Sequence, residues 1–501
     1  MLPLPLTVTA KRLEQQHPEY LYYRDTWQTI ADLREGATAI TRNVLRYCPK
    51  RPGEPDDIYQ LRCQKLSYTP VMSNAIREFV SKLAGSPLFI SGDNDDFWQL
   101  WRSQTDGANC SESELVTKLF SSLLYFKKAY VGVDRPRLGV VPRSLAETEK
   151  LPNNPYAICY EPLDVPHWGD GWVLTRQLRW VSEPLQEVKQ VCRWTFWTTE
   201  EIVAYEATVR PLGSEWDTLG LIGEVLTPEG WFYFDSPRAI VPLVARTTHG
   251  LGRCPLVAAE LPSELWTAGN VYLKQLQHTR IESSWTEAGA IAGTIQRIYT
   301  PSPPPPMDDP RFTYEAPDYS ELAKANNAHI LIGAGFDFKE STGQAIGALT
   351  SQLATIESQI KDLVSMRFAS VSTGALEQSG KSKQVDMSLL EDAMQAYGSR
   401  VLQMYQDILD TVADMVKLPR VTSYGLNSYS TDTLDQMLEQ SEIVKTLPQV
   451  PQLALKVWYS KLASLMTGTI SPDEEEKLQE ELDQIFSQPL VPVVDEPVLT
   501  D

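Results

Sequence analysis

Six apolar residues, Ile346, Leu349, Leu353, Ile356, Ile360 and Leu363, follow one another at spacings of 3, 4, 3, 4 and 3. That repeat predicts a helix with a single apolar seam. On an isolated helix the seam would be an exposed stripe, so the fold must lay other helices along it. An upstream segment supplies one: Ser263, after Pro262, is placed to cap a helix running to about Gly289. Between the two lie the strand-like runs AIAGTIQRIY and AHILIGAGFDF, and seven prolines between Pro301 and Pro317. Proline removes the backbone donor and clashes with the preceding turn, so this middle is expected as an extended surface loop.

After the seam a third long helix is expected from Asp386 to Lys417, with Met387, Leu390, Met394, Tyr397, Val401, Tyr405, Ile408 and Val412 along one face. The first 140 residues read mainly as helix. One helical stretch is expected over Asp25 to Tyr47, and a second over Asp56 to Gly85 that Pro70 should divide. A third should open on a capping box, Ser111 followed by Glu114. From about Ala157 to Val244 the texture becomes strand-like, in WVLTRQLRWV, QVCRWTFWT, EIVAYEAT and GWFYFD, with seven of the 13 tryptophans between Tyr156 and Phe234. AIVPLVA then reads as a return toward helix. The fold class expected is α+β and mainly helical, with a β-rich module inserted. The last helical piece is capped by Ser471, Pro472 and Glu474, and residues 487–501 read as a disordered acidic tail.

Charge limits the function. The chain carries −20, of which −9 falls on Ser471–Asp501, with ten acids and one base. A protein that coats nucleic acid needs Lys and Arg to displace counterions, so tight wrapping of DNA is excluded, while DNA passing local basic spots is not. The six cysteines form no CxxC pair, the pattern of buried thiols in a reducing compartment. MLPLPLTVTA lacks the basic start of a secretory signal, and no apolar run approaches the roughly 18 residues of a membrane span. A soluble intracellular protein is expected.

Ala375–Ser382, ALEQSGKS, fits the permissive phosphate-loop pattern. A phosphate loop requires a strand delivering a Gly-rich turn into a helix N-terminus, whose amides cradle the phosphates. Here a heptad helix precedes it, and only RFASV could serve as the strand. Two other readings stand: a solvated connector, or a loop presenting Lys381 and Lys383 to a polyanion. Asp93 and Asp95 open like a calcium loop, but Phe97 and Trp98 occupy positions that need a ligand and a glycine. The five histidines form no HxH, HxxxH or HExxH pair, and Asp164, His167 and Asp170 read as a turn. There is no GxSxG. No catalytic residue, metal ligand or cofactor site is expected.

The order of these segments resembles the portal protein of tailed bacteriophages. The stretch from Asp25 to Gly92, with Tyr59 and Arg62 in a Y-x-x-R pattern and Lys82 and Gly85 ending a helix, is similar to the opening of one portal family. GTISPDEEEKLQEELDQ is similar to its C-terminal signature. The resemblance implies a wing over residues 1–258, stem helices over 259–290 and 341–366 and a clip over 291–340. It further implies a tunnel loop over 367–386, a long helix over 387–425 and a crown over 426–486. Lys381, Lys383 and Gln384 would face DNA, and the heptad residues would be the stem's packing seam. It implies a homo-oligomeric ring, typically a dodecamer, assembled in the host cytoplasm and seated at one capsid vertex of the virion. Its partners would be the major capsid protein, the terminase packaging motor, neck and tail adaptor proteins, and double-stranded DNA contacted without sequence readout, with no membrane involved. Pro303–Pro306 depart from the family's clip. The alternatives are a phosphate-loop ATPase and a coiled-coil scaffold of another kind.

Overall fold

The computed structural model describes residues 4–92, 95–136, 154–182, 184, 188–211, 231–233, 240–292, 296–299, 330–332, 338–339, 344–365, 380–427 and 429. The chain divides into two units, Met1–Tyr429 and Ser430–Asp501, and all described residues belong to the first. The crown and tail expected beyond residue 429, the Pro-rich run and most of the loop before Gly380 lie outside them.

The N-terminal strand β1 (Thr7–Thr9) leads into helices α1 (Ala10–Leu13), α2 (Pro18–Glu35), α3 (Ala37–Arg42), α4 (Val44–Tyr47), α5 (Asp56–Gln64) and α6 (Val71–Ala84). The single helix expected over Asp25–Tyr47 is thus three pieces, parted at Gly36 and Asn43, and α2 starts earlier, with Pro18 at its first position and His17 Nδ1 accepting from the Glu19 amide. Pro70 divides α5 from α6, and Gly85 caps α6. Then come β2 (Leu88–Ser91), α7 (Asp95–Ser103), α8 (Glu112–Phe126) and β3 (Lys128–Asp134). Both halves of the Ser111–Glu114 capping box form at the start of α8. It ends on Lys127 at φ 70°, a conformation costly for a residue with a Cβ. The Lys127 ammonium lies 2.8 Å from Glu260.

The β-rich module continues through β4 (Tyr156–Tyr160), β5 (His167–Gly169), β6 (Trp172–Val181), β7 (Lys189–Thr198), β8 (Glu201–Pro211), β9 (Trp231–Tyr233), β10 (Ile240–Thr248) and β11 (Leu256–Glu260). A seven-stranded antiparallel sheet runs β1-β10-β8-β7-β6-β5, with β9 also on β8. AIVPLVA is therefore strand, not helix. Pro242 is tolerated because it pairs with Thr7 of β1, while the ladder to β8 resumes only at Leu243. One face of this sheet buries Leu174, Trp194, Val203, Tyr205 and Val241 beneath Ala10 and Leu13 of α1. From the other, Trp197 reaches the three-stranded sheet β11-β3-β4, joining Tyr130, Tyr160, Val165 and Leu256. A Cβ on Gly132 would stand 2.6 Å from the Trp197 ring, so only glycine lets the two sheets approach this closely.

Helix α9 (Thr267–Ala292) follows a 3₁₀ turn at Ser263–Leu265, which takes the expected starting point at Ser263. It continues past Gly289, so the strand expected in AIAGTIQRIY is confined to β12 (Gln296–Tyr299). With β13 (Ile330–Ile332) and β14 (Phe338–Lys339), β12 forms a small sheet ordered β13-β12-β14. Helix α10 (Gln344–Val364) carries the heptad residues, and α11 (Gly380–Val416) follows. No Gly or Pro follows Gly380 for many residues, and Lys, Gln, Leu and Met propagate helix well, so α11 begins six residues before the expected Asp386. It stops short of residue 425: Pro419 ends helical continuation, and β15 (Thr422–Gly425) pairs with β2. The large core unites α2, α6, α8 and β3 with the buried faces of α9, α10 and α11, from Trp27 and Phe120 to Ile360, Tyr397 and Ile408.

Candidate functional site

Helix α9 is held by polar residues. Gln275 is fully buried: its Oε1 accepts from the Met72 amide at 2.9 Å and its Nε2 donates to the Thr69 carbonyl at 2.8 Å. The Met72 amide is in the first turn of α6, where backbone N–H groups have no partner within the helix. Two turns further along α9, the Glu282 carboxylate accepts from Ser67 Oγ at 2.8 Å, from the Thr69 amide at 3.0 Å and from Thr69 Oγ1 at 2.7 Å. The break at Pro70 is thus locked onto α9.

Among the described residues, three polar side-chain contacts join α9 to α10. Lys274 Nζ donates to Gln359 Oε1 at 3.0 Å, His278 Nε2 lies 3.3 Å from Glu357 Oε1, and Trp285 Nε1 donates to Thr350 Oγ1 at 3.0 Å. Ascending positions on one helix meet descending positions on the other, so the pair is antiparallel. His278 is 2% exposed, and its Nδ1 faces Glu282 Oε2 at 3.5 Å. A cavity of about 280 Å³ beside it is lined by Thr69, His278, Glu282, Trp285, Leu353 and Glu357. Among the described residues no three His, Cys, Asp or Glu side chains converge as metal ligands.

Of the heptad residues, Ile356 and Ile360 are buried, Ile346, Leu349 and Leu353 are half-buried, and Leu363 is 41% exposed. Val364, 2% exposed, takes the inward position at that end. A straight helix turns by 3.6 residues rather than 3.5, so a strict heptad drifts off the packed face by about 20° per repeat. Leu273 and Trp285 of α9 are also turned to solvent, at 64% and 40% exposure.

Lys381, Lys383 and Gln384 lie on the first two turns of α11, not in a loop. Of the phosphate-loop match, Gly380, Lys381 and Ser382 are helical, and Ala375–Ser379 lie outside the described residues; the nearest described element upstream is helix α10, ending at Val364. Further down α11, Met394, Tyr397, Val401, Tyr405, Ile408 and Val412 are buried and Leu390 is half-buried. Gln406 clamps the following segment, donating to the Val421 carbonyl and accepting from the Ser423 amide, both at 2.7 Å.

The Y-x-x-R pair is a local staple. The Arg62 guanidinium lies 5.5 Å from the centre of the Tyr59 ring and donates to Glu54 at 2.8 and 2.7 Å, to the Pro49 carbonyl and to Cys48 Sγ, closing the 48–55 loop. Lys82 pairs with Glu78 one turn earlier on the exposed face of α6. Asp95 opens α7, and Asp93 lies outside the described residues. Asp164 Oδ2 caps a 3₁₀ turn by accepting from the Glu161 amide, and His167 packs edge-on against Trp172. The polar anchors Gln275, His278 and Glu282 escaped the sequence reading. Their spacing of 3 and 4 was the available signal, though on a helix it reads equally as a solvated stripe.

No protein-family model matches this sequence, and no curated protein does. Among solved structures, a chain in the virion of a native gene transfer agent particle is 12% identical, with 88% of this chain and 95% of that chain covered and a TM-score of 0.34. A chain in the neck of an empty gene transfer agent particle, treated with C6 symmetry, is 13% identical, with 85% and 94% covered and a TM-score of 0.32. At scores this low the match fixes neither fold nor function.

Proposed function

We propose that this chain is the portal subunit of a phage-like particle. In this reading it is one member of a ring at a capsid vertex through which DNA is packaged, retained and released. The α9/α10 pair is the stem, the small sheet between them in sequence belongs to the clip, and the body with its β-rich module is the wing. The observation that carries the reading is the helix pair itself. It is cross-linked by polar contacts and buries Ile356 and Ile360, yet it leaves Leu273, Trp285 and Leu363 on its surface. Neighbouring stems in a ring would cover such residues. A ring also repeats each residue, so Lys381 and Lys383 become circles of positive charge on an otherwise acidic protein. Such circles contact phosphates without reading bases and let DNA slide. Hydrolysis of ATP falls to a separate motor.

Negative-stain electron microscopy of the purified chain tests this, with rings around a central hole as the expected result. A monomer or dimer by light scattering at all salt concentrations would overturn it. The double variant Leu273→Ser, Leu363→Ser should shift rings toward free subunits while leaving the circular dichroism of the subunit unchanged.

A further inference from the structure

The start of α8 holds a chemical arrangement that the portal reading does not use. Cys110 precedes the Ser111 cap, and Lys118, two turns into α8, bends back so that its Nζ lies 3.1 Å from Cys110 Sγ. The carboxylate of Asp106 is occupied, accepting from the backbone amides of Ala108 and Cys110 at 2.9 and 3.0 Å, which hold it below the usual carboxylate range. Glu114 is held in the capping box. The ammonium of Lys118 is therefore the cation in contact with the thiol. The lysine nitrogen and the sulfur are thus already at the approach a bond between them requires.

Cys110 is 6% exposed, but it lines an open cavity of about 410 Å³ together with Asp106, Asn109, Ser113, Thr117 and Lys118. A small oxidant can reach the sulfur from that side. Cys159, the other thiol in the neighbourhood, is in β4, and burial pushes its pKa up to about 12, which keeps it protonated and unreactive.

We propose that Cys110 and Lys118 form a redox-responsive cross-link, a sulfenamide between Sγ and Nζ, when the protein meets a peroxide. In the first step the thiol is oxidised: R–SH + H₂O₂ gives R–SOH + H₂O, the sulfur attacking one peroxide oxygen as the O–O bond breaks. In the second, the lysine nitrogen attacks that sulfur and water leaves: R–SOH + R′–NH₂ gives R–S–NH–R′ + H₂O. Peroxide is the oxidant and sulfur is the atom oxidised. Any thiol reverses the bond by attacking sulfur and releasing the amine. The attacking amine must first lose its proton, and the contact with Cys110 holds the Lys118 ammonium above its ordinary pKa, so the second step accelerates as pH rises. The product staples the first two turns of α8 to the segment before it.

The test is a tryptic map of the full chain after brief exposure to hydrogen peroxide, digested without reductant. Trypsin does not cut after a lysine whose Nζ is bonded to sulfur. The peptide Ser103–Lys118 should therefore give way to Ser103–Lys127, two hydrogens lighter than the uncross-linked form. Dithiothreitol should restore cleavage after Lys118. The Lys118→Arg variant keeps the cation but lacks the amine, so its Cys110 should stop at the sulfenic acid and be trapped by dimedone. Normal cleavage after Lys118 in the oxidised wild type overturns the proposal, whether Cys110 is then found unmodified, as sulfinic acid or in a disulfide with Cys159.

Discussion

Replacing Gln275 by Leu tests whether α9 is fixed by its polar contacts. The side chains are of similar volume, so no large cavity confuses the result. The substitution strips the Met72 amide of its partner, while the Thr69 carbonyl loses one hydrogen bond but keeps the one from the Val71 amide. The unpaired amide costs about 2 kcal/mol and the lost bond to the carbonyl about 1, while burying the leucine returns about 2. The net loss is about 1 kcal/mol, or about fivefold in an opening equilibrium. Hydrogen exchange reads this where it acts: the Met72 amide should exchange about fivefold faster, and amides in the strand pairing of β6 with β7 should not change. Unaltered protection at Met72 would refute the view that Gln275 caps α6, and an equal loss at β6 would show a global rather than a local anchor.

Three further outcomes follow from other contacts. Gly398→Ala places a Cβ 1.9 Å from the Leu426 carbonyl and 2.4 Å from the Tyr429 hydroxyl. It should destabilise by about 1–3 kcal/mol in a denaturant titration and loosen the 426–429 segment to proteolysis first. Arg62 holds the Glu54 carboxyl down at about 2 through its hydrogen bond. A depressed carboxylate stabilises above its unfolded value of about 4.3 and loses that contribution as pH falls toward the folded one. The 48–55 loop should therefore open to protease between those values, and Arg62→Lys, which cannot grip both oxygens, should open it at higher pH. Lys381→Ala with Lys383→Ala should leave rings intact and reduce DNA retention; loss of an ATPase activity in Lys381→Ala would instead favour the phosphate-loop alternative.

Local punctuation was legible in the sequence, because its physics is local. The Ser111–Glu114 box, the break at Pro70 and the cap at Gly85 depend on backbone groups within a few residues. The strands of the tryptophan-rich module were legible from β-branched and aromatic runs. What failed depended on distant partners. AIVPLVA is strand because β1, more than 200 residues earlier, lies beside Pro242. Leu363 loses its inward place to Val364, the direction in which a 3.6-residue helix drifts off a 3.5-residue repeat. Gln275 and Glu282 look like surface residues until the segment before α6 arrives to meet them. The exposed lysine beside a near-buried thiol at Cys110 was likewise invisible, since seven intervening residues hide a contact made by two turns of helix.

Helix α11 has 37 residues without an interior proline, and so measures about 55 Å from Gly380 to Val416. From Met394 onward it is gripped on several sides, by the buried row from Tyr397 to Ala413, by Arg253 on Asp414 and by Gln406 on the strand segment beyond. Mechanically it is a strut clamped from Met394 onward. A push along its axis at the Gly380 end travels through a continuous ladder of backbone hydrogen bonds and is taken up where β15 joins β2. Displacement at the lysines would thus be felt in the body of the protein as load, with no side chain needing to relay it.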